Sequence, residues 1–136
     1  LHACIALDPV AWRALVARAP ERMRQFADSL PWLAGHGVPM VFGTDAGLRG
    51  LRFDDPAGAL ALYESLGLAR DRVLDMATVT AAAALGLGDR TGRVLPGCAA
   101  DLLVVRGDPL ADLTDLRNLR LVLARGDRVV DRTGED

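Results

Sequence analysis

Between Pro20 and His36 the apolar positions Met23, Phe26, Ala27, Leu30 and Leu33 recur at steps of three and four, which lays one stripe along a helix. Pro20-Glu21 suits the first turn, Pro31 sits where it would kink the helix, and Gly37 supplies a C-terminal stop. Asp8-Pro9 opens an earlier helix by the same logic, with the aspartate at the cap. Val38 to Phe42 differs: short, apolar and bounded by glycines, it predicts a fully buried strand of the parallel-sheet kind, with Asp45 just past its C-terminal end. Asp54-Asp55-Pro56 starts a further helix that runs to about Leu66, with Leu60 and Glu64 on neighbouring turns and Gly67 closing it. Residues 70 to 85 read as the clearest helix, with Val73, Ala77, Ala81 and Leu85 at four-residue steps and Gly86 and Gly88 ending it.

From there the pattern changes. "GRVLPG", "ADLLVV" and "LRLVLARGDRVV" are short Val- and Leu-rich pieces separated by turn residues, which predicts a second, β-rich unit. In the last piece Leu119, Leu121 and Leu123 alternate with Arg120, Val122 and Ala124, and Gly126-Asp127 reads as a hairpin turn. Arg-Gly-Asp occurs at 106–108 and again at 125–127. An adhesion motif has those letters, but strand ends need glycine and aspartate for turns, and the turn reading is preferred.

Composition narrows the function classes. The 136 residues are 51% hydrophobic and 25% charged with a net charge of -2, as expected of a soluble globular chain, and no basic run offers a nucleic-acid stripe. No apolar stretch approaches the ~20 residues that span a bilayer, and nothing at the start resembles a signal peptide, so no membrane role and a cytoplasmic location are expected. The chain starts at Leu1 and reads as part of a longer protein. Cys4 and Cys98 are far apart without a CxxC or Cys/His cluster, so plain thiols are expected. All sixteen basic residues counted as Lys+Arg are arginine, which excludes Schiff-base chemistry, a lysine base and a modified-lysine ligand from these residues.

Helix, buried strand, acid at the strand's C-terminal end and helix again form a unit of an α/β architecture, in which reactive groups gather at the carboxyl ends of strands. Asp45 is therefore a candidate reactive carboxylate, although Gly43 and Gly47 around it also suit a plain turn. His36, before Gly37, fits a helix end whose carbonyls it caps; His2 has no assigned role. Arg49 and Arg52 could bind a substrate carboxylate or be solvated loop charges, and the second reading is preferred. Asp101 precedes a strand and is expected to fix a turn by hydrogen bonding rather than to react.

The order Leu85-Gly86-Leu87, Pro96-Gly97, Ala100-Asp101-Leu102, Gly107-Asp108-Pro109-Leu110, with Gly43-Thr44-Asp45-Ala46-Gly47 upstream, resembles the C-terminal portion of the metal-dependent amidohydrolase family, especially imidazolonepropionase-like and Xaa-Pro dipeptidase-like members. The resemblance covers roughly residues 36 to 130. It implies an α/β fold class: the C-terminal fragment of a (β/α)8 TIM-like barrel over residues 1–88, then the C-terminal strands of a small composite β-sandwich over 89–136. It implies hydrolysis of carbon-nitrogen bonds in a small-molecule substrate by metal-activated water, with Asp45 as catalytic residue and metal ligand. The cofactor implied is a divalent metal, with zinc preferred. The family's His-x-His pair, its central lysine or glutamate and its later histidines have no counterparts here, so the other ligands would lie outside this chain and the fragment alone would be inactive. Cys98 stands where a lysine is frequent, and no asparagine follows Thr78 as it does in many relatives. The competing expectation is a non-catalytic scaffold of the same fold that serves self-association, as a homo-oligomer, with Asp45 a turn residue.

Overall fold

The computed structural model describes Arg18, residues 21–44 and residues 55–134. Helix α1 spans Glu21–Gly35, close to the expected bounds, and runs through Pro31. Ala27 and Leu30 carry its buried face. Phe26, assigned to that stripe by spacing, is 47% exposed, because the core contacts a narrower face than the spacing outlines. The helix expected after Asp8-Pro9 lies outside the described residues, as does the side chain of Met23.

Helix α2, Pro56–Ser65, starts as its sequence requires: Asp55 accepts the Gly58 N–H at 3.1 Å, and Pro56 occupies the first turn, where its missing N–H leaves nothing unpaired. Its alanines and leucines are buried on most sides, and it closes at Gly67, whose φ of 98° is one that glycine adopts without strain. The single helix expected over 70–85 is instead two: α3, Arg70–Ala77, and α4, Val79–Ala84, separated by Thr78. Thr78 turns its hydroxyl back onto the Leu74 carbonyl at 2.8 Å, a local bond that competes with the helical ladder. The break also resets the phase of the pattern, so that Ala82 is buried while Leu85 is 74% exposed.

Residues 38–44 form no ladder, which corrects the expectation of a fully buried strand. A strand needs a neighbour to complete its hydrogen bonds, and none lies beside it among the described residues. Met40 and Phe42 pack against the core while Val41 between them is exposed, as in an extended stretch covered on one face, and Val38 is exposed as well.

The sheet is three-stranded and antiparallel in the order β1 (Leu102–Val105), β2 (Leu119–Ala124), β3 (Asp127–Asp131). Leu102 pairs with Leu123, and Val122 pairs with Val130. The β2–β3 turn is Arg125-Gly126, one residue earlier than expected. Both residues have positive φ, 53° and 89°, and Asp127 already pairs with Ala124. "GRVLPG" forms turns rather than a strand, because no partner strand runs alongside it among the described residues. Strand β2 is half-buried along nearly its whole length, since it lies between two neighbours, so its alternation does not separate an inner from an outer face.

A short 3-10 helix, Leu113–Arg117, links β1 to β2 and is capped by Asp112, which accepts the Thr114 N–H. Its Leu113 enters the core beside Leu30, Leu60, Leu68, Val73 and Met76. Arg117 on the same turn makes a two-pronged contact with Asp55, at 2.9 and 2.7 Å. Leu113 and the Asp55–Arg117 ion pair thus tie the connector between β1 and β2 to the helices, with Leu116 packed on the same core and Arg70 donating to the Leu110 carbonyl. Among the described residues no helix is long and apolar enough to cross a membrane.

Candidate functional site

Asp45, the candidate metal ligand and catalytic residue, lies outside the described residues, as do His2, Cys4, Arg49 and Arg52. The approach to Asp45 is described as far as Thr44. Its firm point is Phe42, whose N–H donates to the Met76 carbonyl at 2.9 Å and whose ring meets Tyr63 edge-on at 6.0 Å. Burial raises the Tyr63 phenol above its ordinary range.

His36 is exposed at the end of α1, its ring 4.1 Å from that of Trp32. Its Nδ1 lies 2.8 Å from the Trp32 carbonyl, which only accepts, so that nitrogen carries the proton and caps the helix. Among the described residues no group of three or more His, Cys, Asp or Glu side chains converges on a point that would hold a metal. A catalytic zinc ordinarily takes three protein ligands or more. The described donors do not fit such an ion by themselves.

The acidic residues of the C-terminal motifs are committed to turns. Asp101 accepts the Arg125 N–H at 2.8 Å and the Thr91 hydroxyl at 2.9 Å, tying the β2–β3 turn to the loop before β1. Those two bonds, the backbone one first, hold its carboxyl below the usual range. Asp108 accepts the Leu110 N–H at 2.9 Å, and its own N–H donates to Asp115, whose other oxygen accepts from Asn118. Both Arg-Gly-Asp triplets contain a glycine at positive φ, Gly107 and Gly126. They are turn sequences, as expected.

A cleft of about 900 Å³ opens between the helices and the sheet, lined by Phe42, Leu74, Leu103, Leu116 and Val122, with Asp55 and Arg117 at its polar edge. Large apolar clefts are the usual first place to look for a binding site. Here Asp55 and Arg117 pair with one another, and the Thr78 hydroxyl in the lining is bonded to the Leu74 carbonyl. Sequence reasoning identified Asp55 only as a helix start. Its partner lies 62 residues away, and no local pattern announces such a pair.

Among the described residues the architecture is a set of helices followed by a three-stranded antiparallel sheet. The sequence profile of the amidohydrolase family matches residues 4–129, and the chain belongs to that family. It is similar to a solved Xaa-Pro dipeptidase with methionine bound in its active site, with 27% identity and a TM-score of 0.71 over 78% of this chain and 26% of that one. It is similar also to an amidohydrolase from Thermotoga maritima MSB8, with 29% identity and a TM-score of 0.64 over 78% and 26% of the two chains. Molinate hydrolase, at 22% identity, shares the fold with a TM-score of 0.69 over 95% of this chain and 32% of its own. The chain therefore spans about a quarter to a third of the length of these structures. No curated protein sequence matches significantly.

Proposed function

We propose that residues 1–88 are the end of a (β/α)8 barrel and residues 89–136 the C-terminal strands of a small β-sandwich, in a metal-dependent hydrolase of small-molecule carbon-nitrogen bonds. Amides, cyclic amides and dipeptides are the substrate classes. The observation that carries this reading is the family match over residues 4–129, a range that includes Gly43-Thr44-Asp45 and the turn motifs after α4.

A divalent metal, with zinc the preferred ion, supplies an activated water when bound. Asp45 would serve as a carboxylate ligand to that metal and as the base that takes the attacking water's proton and delivers it to the departing nitrogen. Nitrogen needs that proton because an amide anion is a very poor leaving group. The remaining ligands belong to other strands of the barrel, in keeping with the single carboxylate and the absence of lysine here. The half-covered segment 38–44 fits a barrel strand whose neighbours complete it.

The test is to assay the purified 136-residue chain and the full-length protein side by side, each with added zinc, on a panel of dipeptides and N-acyl amino acids. Turnover is expected from the full-length protein and none from the shorter chain. Turnover by the 136-residue chain overturns the proposal that the site is completed elsewhere. A full-length sequence without a His-x-His pair and without later histidines would point instead to the self-associating scaffold.

A further inference from the structure

We draw no further inference here: the strongest candidate, the apolar cleft of about 900 Å³ between the helices and the sheet with the Asp55–Arg117 pair at its edge, carries nothing because nothing in the structure shows what covers it.

Discussion

Leu113 ties the sheet to the helices, and truncating it measures how strongly. It belongs to a five-residue 3-10 turn between two strands, yet it is 0% exposed and packs with Leu60, Val73 and Met76. Leu113→Ala removes buried carbon from a site with no solvent contact and leaves a cavity, a change that costs about 2–5 kcal/mol. The middle of that range, about 3 kcal/mol, is roughly a hundredfold in an opening equilibrium. Leu110, three residues earlier and 58% exposed, is the control, and Leu110→Ala should stay within about 0.5 kcal/mol. The assay is native-state hydrogen exchange of α2 and α3 amides in the full-length protein, since those helices share the cluster. Exchange in both helices is expected to accelerate about a hundredfold in Leu113→Ala and hardly at all in Leu110→Ala. Equal effects from the two variants, or acceleration confined to residues 113–117, would refute the idea that one core spans helices and connector.

Two further outcomes follow from the charged groups. Asp55→Ala should destabilise more than Arg117→Ala, because it removes a helix cap worth about 1 kcal/mol as well as a half-exposed ion pair worth less. Chemical denaturation with and without added salt checks this: only the ion-pair part should fade with salt, and equal losses would contradict the cap's role. Asp101, held below the usual carboxylate range by the Arg125 N–H and the Thr91 hydroxyl, stabilises the folded chain fully above that range. The contribution is lost as pH falls through its lowered folded value, because the unfolded state then binds the proton first. A carbon-detected NMR titration should give a low midpoint for Asp101 that Thr91→Val raises only in part, since the backbone bond remains; an unmoved midpoint counts against the Thr91 contact.

The helices were legible wherever their signals were local. The cap at Asp55, Pro56 in the first turn of α2 and the stop at Gly67 are all features of a single turn, and the structure reproduces them. What the sequence misjudged depends on distant partners. The run through Thr78 has helical spacing on both sides, and nothing within it reveals that the Phe42 N–H meets the Met76 carbonyl or that Gly92 lies close against Thr78. "VPMVF" looked buried because it is apolar, whereas burial also depends on what lies on its other face, where Val41 is half exposed. "GRVLPG" has the residues of a strand and, among the described residues, no strand beside it; Val94 is 82% exposed. The hairpin moved by one residue because Asp101 fastens the Arg125 N–H, a tie across 24 residues that favours Arg125 over Asp127 as a turn residue.

For the candidate site the sequence offers chemistry only, and the geometry describes the other acids of the motifs. Asp101, Asp108 and Asp115 could each have been taken for reactive acids, and each is engaged by N–H or O–H donors within a turn. Asp45, the acid proposed as metal ligand, lies outside the described residues.

Zinc content and turnover of the full-length protein with Asp45→Asn test the central claim most directly, since the change removes the charge and keeps the shape. Weakened zinc retention and a loss of kcat of about 10²–10⁴-fold, the range for a lost general acid-base, are expected. Zinc content and turnover equal to wild type would contradict it.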